Sequence, residues 1–330
     1  MSRRSTWILA CLFGAVLLLP AGCTSSRLST GPVAFVPRLA EAGDTTPAEA
    51  SLEIRQNIPF VEVMLNDQGP YLFALDTGAN VTVVSEALAF HLNTLGSAAT
   101  ESYPGVAKGA AGDEVALKGI LHIESLELGE ATFSDFHAAV INMRPVREAL
   151  GSDVMGIVGF SLFADRLMTI DYPRQRMMIE SGDLPVPDQR DVLALRIDDG
   201  LPVLPVTFGG VQIPLVIDTG SDHSFALPTA AADRLAFEQA PTPGPMAATI
   251  GGVSQRMVGQ LASTAEVGAY RVHQPDVMVT AGRARMGGEV LRNFVVTFDQ
   301  RRGAVRLAGA FEPQDASGAG VLTSVDIADD

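Results

Sequence analysis

The tripeptide Asp-Thr-Gly occurs twice in this 330-residue chain, as Asp76-Thr77-Gly78 and as Asp218-Thr219-Gly220, each time in the same kind of surroundings. The run Tyr71-Leu72-Phe73-Ala74-Leu75 precedes the first copy and Ile213-Pro214-Leu215-Val216-Ile217 the second, so each carboxylate stands where a buried strand ends. Val81-Thr82-Val83-Val84-Ser85 and Ser224-Phe225-Ala226-Leu227 follow, again strand-like. Thr-Gly is thus the turn of a strand-loop-strand unit, repeated 142 residues later (218 − 76). Two acids presented by two copies of one unit point to a paired site.

The surrounding pattern repeats as well. Apolar and polar residues alternate from Ile58 to Leu65, Asn66-Asp67-Gln68-Gly69 forms a turn cluster, and the strand to Asp76 completes a hairpin. Its counterpart is Leu201 to Phe208, Gly209-Gly210, and the strand to Asp218, with the glycines supplying the positive φ angles of a two-residue turn. Ser85 predicts a cap for a short helix from Glu86 to Leu92, and Pro228 the first turn of a segment running to Leu235. Gly109-Ala110-Ala111-Gly112 and Ile250-Gly251-Gly252 then suit either mobile covers over a cleft or ordinary surface turns. Val115 to Ile141 reads as a meander turning at Gly129, with Val258 to Val279 its shorter equivalent. Each half closes on a hairpin, Leu167–Asp171 with Met177–Ile179 and Phe294–Asp299 with Val305–Leu307. The whole predicts a two-lobed, mostly β protein, with lobe 1 over 52–182, a linker over 183–191, lobe 2 over 192–308 and a loose tail over 309–330.

Composition fits two cored lobes: 47% of residues are hydrophobic and 18% charged. A net charge of −15 without a basic run argues against nucleic acid as a partner. The N-terminus reads as an export signal over 1–22, with Arg3-Arg4 before an apolar stretch from Trp7 to Leu19 too short to span a membrane. Arg3-Arg4 also suggests a twin-arginine signal, which Ser5-Thr6-Trp7 does not continue. Pro20-Ala21-Gly22-Cys23 resembles a bacterial lipobox, with Pro20 where an aliphatic residue is usual. It implies lipidation at Cys23 and a tether over 23–51; cleavage of a soluble secreted protein is the alternative. Loss of the signal removes Arg3, Arg4 and Cys11, moving the net charge from −15 to −17 and leaving Cys23 as the one cysteine. Neither an intramolecular disulfide nor a thiolate metal cluster is then available.

The paired Asp-Thr-Gly units, each with a strand before, a strand and short helix after, and a glycine segment ahead of a closing hairpin, resemble the aspartic proteases. The resemblance covers roughly residues 52 to 308 and is nearest to the bacterial retropepsin-like group with both halves in one chain. Without a flap tyrosine, likeness to pepsin-type enzymes is looser. It implies an all-β fold of two acid-protease barrel lobes related by a pseudo-twofold, with an active-site cleft between them. It further implies an endopeptidase acting on an extended peptide, with Asp76 and Asp218 as a dyad activating a water, needing no cofactor, metal or dimerisation. Thr77 and Thr219 would bond across the lobes, and Gly78 and Gly220 would turn the backbone tightly. Ser221 would add a hydroxyl to its aspartate where Ala79 has none. Gly112, Gly251 and Gly252, with Ala110 and Ala111, are the flap candidates. Ile157-Val158-Gly159 fits the element expected under the first loop, and Met286-Gly287-Gly288 stands for it in the second, with glycine replacing a branched residue. A non-catalytic peptide-binding or structural envelope lipoprotein on the same scaffold is the alternative function.

Other constellations carry less. Asp222-His223-Ser224 invites a hydrolase triad, but neighbours on one loop cannot form the required chain of contacts, and Gly159-Phe160-Ser161 lacks the second glycine of a nucleophile elbow. His91, His122, His137, His223 and His273 show no metal-ligand spacing. Asp171 and Asp299 precede hairpin turns, where aspartate serves the backbone. Mass spectrometry of the mature protein extracted from membranes is expected to find a lipid-modified Cys23 at the N-terminus; an unmodified N-terminus elsewhere would exclude the anchor.

Overall fold

The structure, a computed structural model, describes residues 38–39, 47–103, 105–109, 112, 114–150, 154–309 and 321–322. The signal segment, Cys23, Ala110 and Ala111 lie outside these described residues. The described chain forms two lobes built on the same plan, joined by a shared sheet.

In lobe 1, strand Ile58–Leu65 turns through Asn66 and Asp67 into Gln68–Asp76. Both turn residues have positive φ, 47° and 60°, which short-chain Asn and Asp tolerate at small cost. In lobe 2, Leu201–Phe208 turns through Gly209 and Gly210 into Val211–Ile217. Each aspartate-bearing strand is then flanked by a parallel partner: Val158 and Gly159 pair with Leu75 and Asp76, and Met286 pairs with Ile217. The helix expected from Glu86 to Leu92 runs on to Leu95, with the Ser85 hydroxyl accepting from Leu88 N at 3.2 Å and Gly96 closing it in the left-handed conformation. The helix after Pro228 is only Thr229–Ala232, and Pro228 caps it from outside.

The second-lobe element under the aspartate loop is in a different register from the one expected. Gly159 pairs with Asp76, and Phe160 N donates to Ala79 O at 2.8 Å. Met286 pairs with Ile217, and Gly288 N donates to Ser221 O at 2.7 Å. The match to Ile157-Val158-Gly159 is therefore Arg285-Met286-Gly287, one residue earlier than Met286-Gly287-Gly288. Glycine is retained where it is needed, since a Cβ on Gly287 would lie 2.3 Å from His223 O. Arginine is what replaces the branched residue.

A six-stranded sheet joins the lobes in the order 192–194, 304–309, 294–299, 167–171, 176–180, 48–51. Its central pair places Thr169 opposite Thr297, their hydroxyls 2.9 Å apart, and Leu167 opposite Asp299, so the pseudo-twofold passes through the threonine pair. Phe160 packs edge-on against Phe298 at 5.2 Å, and one apolar core runs from lobe to lobe through this sheet. The tether expected up to residue 51 ends earlier, because Ala48–Ser51 is the sheet's edge strand. Arg38–Leu39 likewise lies against 133–134, and Val321–Leu322, in the expected loose tail, against Arg271–Val272. Asp171 and Asp299 are buried at the closing hairpins, accepting from the backbone N of Arg174 and Arg302 at 3.0 and 3.1 Å.

Candidate active site between the lobes

The two Asp-Thr-Gly loops meet at the lobe boundary, and Asp76, Thr77, Asp218 and Thr219 are all fully buried there. Each strand ends at its aspartate because Thr-Gly turns the chain back, and each threonine then reaches into the other lobe. Thr77 Oγ1 donates to Ile217 O at 2.6 Å and accepts from Thr219 N at 3.1 Å. Thr219 Oγ1 donates to Leu75 O at 2.7 Å and accepts from Thr77 N at 3.0 Å. Four crossing bonds thus tie the backbone beside one acid to the backbone beside the other, in a site without bulk water to compete for them.

The glycines permit the closeness. A Cβ on Gly78 would sit 2.6 Å from Asp218 Cγ, and one on Gly220 would sit 2.3 Å from Asp76 Cγ. Each glycine N–H also donates to its own lobe's acid, Gly78 N to Asp76 Oδ1 at 2.7 Å and Gly220 N to Asp218 Oδ1 at 3.0 Å. Ser221 Oγ donates to Asp218 Oδ2 at 2.6 Å, whereas Ala79 offers Asp76 no such group.

Two buried residues that motif reading did not single out, Arg285 and Tyr172, lie near the pair, and a third, Arg256, braces the loop beside it. Arg285, buried, places Nε 3.6 Å from Asp218 Oδ2. Tyr172, also buried, lies near enough that burial first, and then the charges of Asp218 and Asp76, push its hydroxyl well above the ordinary tyrosine range. Arg256, on strand Gly252–Leu261, grips Asp222 through Nη2 at 2.8 and 2.9 Å, pinning that strand to the loop carrying Asp218. Asp222 and His223 are 3.5 Å apart beside this pair. Glu289 in the same neighbourhood is raised by burial, which outweighs the pull of Arg292.

The glycine segments lie in two hairpins whose ends each reach the other lobe. Strands Phe237–Thr249 and Gly252–Leu261 form a long hairpin with Gly251 and Gly252 at its tip. Ala248 and Ile250 from that tip are buried in a lobe 1 cluster with Ala79, Val81 and Ile157. In lobe 1 the hairpin is short, Val106–Lys108 with Glu114–Ala116, and Gly112 at its end faces Ala281 of lobe 2. A helix absent from the expected pattern, Arg144–Leu150, packs against the long hairpin. A surface groove of about 600 Å³ along Glu49–Glu53 and Val61–Met64 contains neither acid. Among the described residues, no three His, Cys, Asp or Glu side chains are grouped to hold a metal ion.

This two-lobed all-β architecture with paired Asp-Thr-Gly loops is that of a retropepsin-like aspartyl protease. The sequence profile of that family, described as aspartyl protease, matches the chain twice, over residues 61–162 and 204–293, once in each lobe, and the chain belongs to that family. No curated protein matches the chain.

Replacing Thr77 with Val strands the Ile217 carbonyl and the Thr219 N–H, each buried. The expected cost is about 1–3 kcal/mol per group in chemical denaturation, while Thr77→Ser, which keeps the hydroxyl, costs less. Equal stability of the Val and Ser variants would contradict the crossing bonds.

Proposed function

We propose that the protein is an aspartic endopeptidase in which Asp76 and Asp218 together activate a water to cleave a peptide bond. The supporting observation is the enclosure of two carboxylates by each other's loops, with Gly78 packed on Asp218 and Gly220 on Asp76. The proposed reaction needs one ionised and one protonated carboxylate at such a pair. Sharing of one proton is a general property of aspartic-protease dyads.

The ionised partner takes a proton from the water as its oxygen bonds to the scissile carbonyl carbon. The protonated partner donates to the carbonyl oxygen. Transfer of a proton to the nitrogen then lets the C–N bond break, giving a carboxylic acid and an amine. The crossing threonines hold the acids at the separation this demands, since a misplacement of about 1 Å costs on the order of 10²-fold in rate. The long hairpin acts as a flap: a peptide enters in extended form once Ile250 lifts from the lobe 1 cluster. Gly251 and Gly252 at the tip, where Gly252 has a φ of 136°, give it the backbone freedom to do so. With the export signal and Cys23, the site of action is the cell envelope, against peptide or protein substrates.

Asp76→Asn and Asp218→Asn, assayed on a peptide library beside the wild type, are each expected to abolish cleavage, and the wild-type rate to follow a bell-shaped pH profile. Cleavage surviving either substitution, or a rate that simply rises with pH, would overturn the dyad.

A further inference from the structure

At one position the two lobes differ in charge, with Arg285 in lobe 2 where lobe 1 has Ile157. In lobe 1, Phe60, Ala74, Val83, Ala139 and Ile157 belong to one continuous apolar cluster, and Ile250 of the opposite hairpin seats on it. Strand pairing maps these onto lobe 2. Phe60 pairs with Ala74 as Val203 does with Val216, and Val83 pairs with Ala139 as Ala226 does with Met278. Ile157 pairs with Ala74 and Val83, and Arg285 pairs with Val216 and Ala226. Arg285 therefore occupies the place of Ile157. In lobe 2 the apolar wall is accordingly split into two separate patches, one with Val203 and Val216, the other with Ala226 and Met278.

A guanidinium at 1% exposure carries a desolvation cost that an aliphatic residue avoids, and lobe 1 displays the aliphatic solution at the equivalent position. Nε lies 3.6 Å from Asp218 Oδ2, so the guanidinium lies beside one of the proposed reacting groups. Arginine presents a planar fork of donors that matches a carboxylate. An acidic substrate side chain placed there without it would meet the negative charge of the dyad. We propose that Arg285 is a specificity residue, making the lobe 2 half of the cleft select a substrate residue with a carboxylate side chain next to the scissile bond, while the lobe 1 half takes an apolar one. This rests on the proteolytic reading of the site.

The test uses peptides with leucine on one side of the scissile position and Glu, Gln or Leu on the other, in both orders, with the full mature protein. In one order, kcat/KM for the Glu peptide is expected to exceed that for Gln by about 10-fold or more. Arg285→Ile, which installs the lobe 1 residue, is expected to reverse the preference toward Leu, and Arg285→Lys to retain part of it. Because removal of a cation beside Asp218 changes every rate, the Glu-to-Gln ratio is the readout. An unchanged ratio in Arg285→Ile, or a wild type that prefers Gln or Leu in both orders, would overturn the proposal. Should Arg285→Ile fail to fold by circular dichroism, the wild-type and Arg285→Lys ratios decide. Binding of the same peptides carrying a reduced, uncleavable bond separates the two readings. Glu-selective binding without cleavage of any peptide would overturn proteolysis alone, and equal binding of Glu and Gln forms would overturn the selectivity alone.

Discussion

Two carboxylates buried against each other need a frame that keeps them from drifting apart. The crossing bonds of Thr77 and Thr219 are that frame: each threonine spends its hydroxyl on the backbone beside the other lobe's acid. Everything beneath is arranged to keep the two loops opposed. The six-stranded sheet runs through both lobes with Thr169 and Thr297 on its axis, and the core continues across it, so the lobes cannot separate without opening apolar surface.

The duplication is also the source of asymmetry. Ser221 adds a donor to Asp218 that Ala79 denies Asp76, and Arg285 adds a cation on the same side. The hairpins diverge likewise: the lobe 2 hairpin is long, pinned at its base by Arg256 and Asp222 and seated at its tip through Ile250, while the lobe 1 hairpin is short. One lobe thus supplies most of the cover and most of the charge, and the other supplies the apolar wall.

Much of this was legible in the sequence because the repeated landmarks are local. The turn at Asn66-Asp67, the Gly209-Gly210 turn and the Ser85 cap depend on a few neighbouring residues, and all three stand where the pattern places them. What escaped depends on partners distant in sequence. Ala48–Ser51 looks like tether until 176–180 pairs with it, and Arg144–Leu150 is a helix whose apolar face is covered by a hairpin a hundred residues later. The Arg285 register was hidden by Gly287-Gly288, two glycines that fit the motif equally well until hydrogen bonds to the Asp218 loop distinguish them. Tyr172 reads as a turn residue, and only the fold brings it near enough to feel the charge of both acids.

That Asp76 and Asp218 form one working unit is tested most directly by comparing kcat/KM of the Asp76→Asn and Asp218→Asn double variant with the two singles. Groups that act together lose their function together, so the double variant should fall no lower than the worse single, within about an order of magnitude. Losses that multiply, each substitution costing its full factor in the presence of the other, would show two independent acids and contradict the pairing.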